Sequence, residues 1–153
     1  MLERVLTLDL GTKCGWASLC DGRVESGMQT FDLKRGESPG MRYIRFNAWL
    51  HEMFKNITPQ MVAYEMAHHR GGFATELLIG LVTRVQECCA AWEVEYTKVH
   101  SQTLKKFITG TGRAEKSAVI AAVNKKFGLT VTDDNEADAL ALLSWAENEF
   151  GIK

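Results

Sequence analysis

Three acidic residues stand where apolar runs would otherwise continue. Asp9 lies between Leu8 and Leu10 just ahead of a Gly11-Thr12 turn, Glu65 closes the run Met61-Val62-Ala63-Tyr64, and Asp138 interrupts Ala137-Asp138-Ala139-Leu140-Ala141-Leu142-Leu143. A carboxylate in such surroundings is costly to ionise unless hydrogen bonds or a cation compensate it. Each has an ordinary explanation taken singly: Asp9 accepting amides of the turn, Glu65 a solvated strand end, Asp138 facing water. Together they would repel and raise one another's pKa unless a metal neutralised them. Magnesium or manganese prefers such hard oxygen donors.

A helix advances about 100° per residue, so Asn135 and Asp134 share the face of Asp138, whereas Glu136 points roughly opposite. A fourth ligand should therefore come from Asn135 or Asp134. Glu136 also fits the third position of a capping box begun by Asp133.

A second kind of chemistry is written in basic residues. From residue 98 to 126, Lys98, Lys105, Lys106, Arg113, Lys116, Lys125 and Lys126 face a single acid, Glu115, and from Asp133 to Glu149 the balance reverses to acids alone. A charged run often marks only a solvated helix face. Here Gly110-Thr111-Gly112-Arg113 adds flexible backbone amides ahead of a predicted helix, an arrangement that suits phosphate oxygens. The glycine pair matches no nucleotide-binding loop, since no Gly-Lys-Ser/Thr ending follows and no strand directly precedes it.

Elements to position these groups can be read along the chain. Arg4 to Leu10 reads as a buried strand. Trp16 to Cys20 and Arg23 to Phe31 flank Asp21-Gly22, a dipeptide suited to a tight hairpin. Helical spacing predicts a first helix over Pro39 to Phe54. Met61 to Tyr64 reads as a central strand ending at Glu65, followed by a long helix over Phe73 to Trp92. Val94 to Val99 alternates as a fifth strand, Ser101 can cap a short helix through Phe107, and helices over Arg113 to Phe127 and Asp134 to Phe150 follow. The order implies one α/β domain over 1–153: a five-stranded mixed sheet, three antiparallel strands then two parallel, flanked by helices.

Composition bounds the rest. The 153 residues carry 18 basic and 19 acidic side chains, a net charge of −1, so an anionic partner must be held by a local patch. No apolar run approaches the length of a membrane span and no secretory signal is visible, which makes the expected location cytoplasmic. Cys14, Cys20, Cys88 and Cys89 have no metal or disulfide spacing and read as buried free thiols.

Several runs then coincide with one pattern. Asp9-Leu10-Gly11-Thr12, Tyr64-Glu65, Ser101-Gln102-Thr103-Leu104-Lys105, Gly110-Thr111-Gly112-Arg113-Ala114-Glu115-Lys116 and Glu136-Ala137-Asp138-Ala139-Leu140-Ala141 resemble, in order and over nearly the whole chain, the motifs of the RuvC family of Holliday junction resolvases. The resemblance implies an RNase H-like fold, a homodimer, and magnesium-dependent endonuclease cutting of a four-way DNA junction. It assigns Asp9, Glu65 and Asp138 to the catalytic, metal-binding acids. The remaining family acid or His falls on Asn135, a departure that leaves Asn135 or Asp134 as the fourth ligand. Lys105 and Lys116 match residues that approach junction phosphates, with Arg113, Gly110 and Gly112 in the same motif. His68 occupies the place of an aromatic that stacks on an opened base. Thr83-Arg84 resembles part of the family's second helix, although a buried structural role fits it equally. Two Mg2+ ions, or Mn2+, about 3.5–4 Å apart would stabilise the attacking and leaving oxygens. The predicted helix Phe73 to Trp92 is the candidate subunit contact.

Other readings remain beside this one. The same fold could serve a nuclease of other branched DNA or RNA–DNA hybrids, or a junction-binding module inactivated at Asn135. Asp9-Leu10-Gly11-Thr12 also resembles the first phosphate loop of actin-like and sugar-kinase ATPases, which need a second domain that 153 residues cannot supply.

Overall fold

The structure, a computed structural model, describes residues 2–66 and 71–151. Its elements are β1 (Arg4–Asp9), β2 (Lys13–Cys20), β3 (Arg23–Thr30), α1 (Gly40–Ile57), β4 (Met61–Glu65), α2 (Gly72–Ala91), β5 (Glu95–Val99), α3 (Ser101–Thr109), α4 (Lys116–Phe127) and α5 (Asp134–Phe150). The strands form one sheet in the order β3-β2-β1-β4-β5. β1, β2 and β3 pair antiparallel, while β4 runs parallel to β1 and β5 parallel to β4. The expected mixed sheet is therefore the observed one, and Asp21 and Gly22 both take positive φ in the β2–β3 turn.

Pleat parity divides the apolar residues between two cores. Leu6 and Leu8 pack with Phe46, Phe54, Leu81 and Val85 from α1 and α2 on one face. Val5 packs with Val119, Val123, Leu140 and Leu143 from α4 and α5 on the other. Thr7 shares the parity of Val5, and its hydroxyl donates to the Ala139 carbonyl at 2.7 Å, so β1 is pinned to α5 by a buried hydrogen bond. Asp9 comes next on that face. In β4, Val62 and Tyr64 join the α1/α2 core, and alternation turns Glu65 toward the α5 side as well.

Some predicted boundaries move. β2 begins at Lys13, before Trp16, because it must run alongside all of β1. The short helix is capped by His100, whose imidazole accepts the Gln102 amide, so Ser101 is its first residue rather than its cap. α4 begins at Lys116, not Arg113. Gly110, at φ 90°, closes α3 in the left-handed conformation that glycine tolerates best, and a turn separates it from α4. All four cysteines are free, with Cys14, Cys88 and Cys89 buried and Cys20 partly exposed. No described helix is long and apolar enough to cross a membrane.

Candidate active site

The site lies where the parallel strands end. Leu8 of β1 is in register with Tyr64 of β4, so Asp9 and Glu65 stand side by side at the carboxyl ends of neighbouring strands, the usual place for ligand groups in such sheets. A cleft of about 370 Å³ opens there, lined by Asp9, Gly11, Thr12 and Glu65 on the sheet side and by Ala74, Leu77 and Leu78 of α2. On the other side of Glu65 a hollow of about 20 Å³ is lined by Glu65, Lys105 and Asp138. The two spaces meet at Glu65.

α5 supplies Asp138, and its first turn is set by a close backbone approach. A Cβ on Gly15 would fall 1.8 Å from the Asn135 carbonyl oxygen, so only a glycine lets α5 lie this low on β2. Asp133 caps the helix by accepting the Glu136 amide at 2.8 Å. The Glu136 carboxylate does not complete a capping box. It accepts the Ser26 hydroxyl at 2.7 Å, which ties the same turn to β3.

The electrostatics are those of crowded acids. Burial is the first cause raising Asp9 well above the usual carboxylate range, followed by the charges of Asp138, Glu65, Asp134 and Asp133. Asp138 is pushed up to about 7, by burial first and then by Glu65 and Asp134, against the opposing pull of Lys105 and Lys116. Among the described residues no group of three or more His, Cys, Asp or Glu side chains is placed closely enough to hold a metal ion. The donor chemistry nevertheless fits a hard divalent cation: the side chains are oxygen donors, and each hinders ionisation of the next until positive charge is added.

The remaining predicted residues divide. Lys105 lines the hollow with Glu65 and Asp138. Lys116 bonds Asp134 at 3.1 Å, so Asp134 is engaged by a cation. Asn135 lies one turn before Asp138, with its carbonyl against Gly15. Gly110, Gly112 and Arg113 line an exposed pocket with Lys106 and Gln102. Most amides of that loop are already spent: Gly110 N–H donates to Lys106, Thr111 N–H to the Thr109 hydroxyl and Arg113 N–H to the Thr111 hydroxyl. The glycines therefore shape the turn more than they offer donors. His68 lies outside the described residues. Thr83 is exposed and donates to the Gly80 carbonyl within its own helix, and half-buried Arg84 lies over the Tyr43 ring of α1 at 5.0 Å, so the pair is not the buried one expected. Sequence reasoning passed over Gly15, whose signal was a lone glycine within a strand.

No family model matches the chain. The crossover junction endodeoxyribonuclease RuvC of Rickettsia akari is 26% identical over 99 residues, which span 63% of this chain and 63% of that relative's own length. RuvC of T. thermophilus, solved in complex with a Holliday junction substrate, superimposes with a TM-score of 0.81 at 21% identity, covering 98% of this chain and 97% of that one. The chain has the RuvC fold. A second Thermus thermophilus RuvC structure gives a TM-score of 0.75 at 22% identity, with 97% of each chain covered. The yeast mitochondrial Holliday junction resolvase is more distant, at 0.67 and 12% identity over 94% of this chain and 77% of that one. The RuvC resemblance carried by the motifs is thus borne out in sequence and in architecture, and the sheet with its helices is the RNase H-like arrangement.

Proposed function

We propose that this chain is a structure-selective endonuclease that resolves four-way DNA junctions by metal-dependent phosphodiester hydrolysis. The observation that carries the reading is the meeting of Asp9, Glu65 and Asp138, from β1, β4 and α5, at one edge of a RuvC-type sheet. The similarity to RuvC, including one solved with its junction, supports the choice of substrate.

Asp9, Glu65 and Asp138 would hold two Mg2+ ions, with the Asn135 side chain as the fourth donor and Mn2+ as a substitute. Such ions, when bound, lower the pKa of an attacking water and offset charge on the leaving 3′ oxygen. The chain's own residues do the rest. Glu65 borders both spaces, with Asp9 beside it in the larger cleft and Asp138 across the smaller hollow. The rigid β1 and β4 ends fix its spacing to Glu65, and the Thr7–Ala139 hydrogen bond with the Gly15 contact fixes Asp138 against them. Lys105 and Lys116 meet phosphate oxygens without reading bases, and Arg113 with the Gly110–Gly112 turn extends that surface. The cleft of about 370 Å³ against α2 is where the strand would approach Asp9 and Glu65.

A junction has approximate two-fold symmetry, which a homodimer with two such sites matches. α2 exposes Phe73 and Ile79, consistent with a subunit contact there. The deciding experiment incubates labelled four-way junction, duplex, flap and RNA–DNA hybrid with the protein, with and without Mg2+. Symmetric cutting of the junction alone, only with metal, is expected; preference for the hybrid or the flap would replace this reading.

A further inference from the structure

Lys116 is oddly placed for a cation. It is the first residue of α4, the end at which a helix macrodipole repels positive charge, and Glu115 before it makes no capping hydrogen bond. Its side chain is 82% exposed, yet Nζ lies 3.1 Å from Asp134 Oδ2 at the start of α5. An exposed ion pair of this kind does little for stability, so its significance lies in where it holds the ammonium.

The surrounding geometry answers that. Lys116, Val119 and Val123 are spaced to share one face of α4, and Val119 and Val123 pack into the core with Leu140 and Leu143 of α5. Asp134 and Asp138 are one turn apart on α5. Val119 and Asp138 line the same hollow, with Glu65 and Lys105. The ion pair therefore sits at the head of the α4/α5 seam whose next turn carries Asp138. Lys116 feels Asp138 and Asp9 as well as Asp134. An ammonium has three N–H donors, so one bond to Asp134 leaves two for another acceptor.

We infer that Asp134 is a positioning residue and not a metal ligand: its carboxylate anchors the Lys116 ammonium beside the acidic pocket, so that the free N–H groups meet a non-bridging phosphate oxygen of the strand being cut. A long, exposed lysine would otherwise sample many rotamers, and the anchor removes that search before DNA arrives. This rests on the nuclease reading above and assigns a role within the same site.

The test is single-turnover cleavage of labelled four-way junction by the full chain across a Mg2+ titration, with junction binding in EDTA measured alongside. The variants are Asp134→Asn, Asp134→Glu, Lys116→Gln and the double Asp134→Asn/Lys116→Gln. Asp134→Asn should lower the cleavage rate roughly tenfold and leave both the Mg2+ half-saturation and the thermal midpoint in place. Asp134→Glu should recover most of the loss, and adding Asp134→Asn to Lys116→Gln should change little. Equal losses in both backgrounds, a raised Mg2+ requirement, or no loss at all would overturn the assignment while leaving the nuclease reading standing. A wild type that cuts no junction would overturn both.

Discussion

Gly15 stands directly opposite Asp9 in the β1–β2 ladder, and its bare Cα is what the Asn135 carbonyl rests against. One missing side chain on a strand thus sets the height of the helix that carries Asp138 over the strand that carries Asp9. Gly15→Ala should push the first turn of α5 outward, costing about 1–3 kcal/mol and most of the cleavage. Gly40→Ala, where the nearest atom to a new Cβ is the Ser38 hydroxyl at 3.5 Å, serves as the control and should cost little. Thermal midpoints and junction cleavage of both variants check this.

Asp9→Asn removes a charge from the centre of the acidic cluster and leaves the packing intact. Cutting should fall at least a thousandfold, about 4 kcal/mol of transition-state stabilisation, with junction affinity nearly unchanged. Loss of binding and of the folded circular dichroism signal together would indicate collapse of the domain instead.

The pH dependence follows from Asp138, which sits near 7 in the fold and near 3.8 when unfolded. Between those values the folded chain binds more protons than the unfolded one, so metal-free stability falls as pH rises through that window. The upper bound is about 4 kcal/mol, and the raised Asp9 carboxyl acts in the same direction. In EDTA the thermal midpoint should drop from pH 5 to pH 8, and Mg2+ should restore it. Asp138→Asn should flatten the slope and blunt the response to Mg2+. A midpoint that climbs over this range in EDTA would contradict the arrangement.

Phosphate contacts release counterions, so junction affinity should decline steeply with salt. Lys105→Ala and Lys116→Ala should each weaken binding and reduce the slope of log affinity against log salt by about 1. Lys55→Ala, whose ammonium pairs with Glu52 on α1, should leave the slope alone.

The three acids were legible because each broke an apolar run, and pleat parity together with helical spacing is a strong local signal. The sheet was legible for the same reason, with Asp21-Gly22 marking its hairpin. Ownership of neighbouring polar groups was not. Helical spacing put Asp134 and Asn135 on one face with Asp138, but the Lys116 that engages Asp134 lies on another helix, and nothing local announces that pairing. Glu136 looked like half of a capping box until β3 brought Ser26 within reach. Gly110-Thr111-Gly112 looked like a phosphate cradle, because threonine hydroxyls claiming two of its amides is a property of the folded turn and not of the glycines.

Asp9 and Glu65 belong to strands laid down early in the chain, whereas Asp138 rides on the last described helix. A nascent polypeptide emerging from the ribosome carries two of the acids long before the third, and the Thr7 hydroxyl has no Ala139 carbonyl to meet until α5 docks. On the proposed reading, hydrolytic competence would arrive as a single late event, when α5 docks and brings the third acid to the other two.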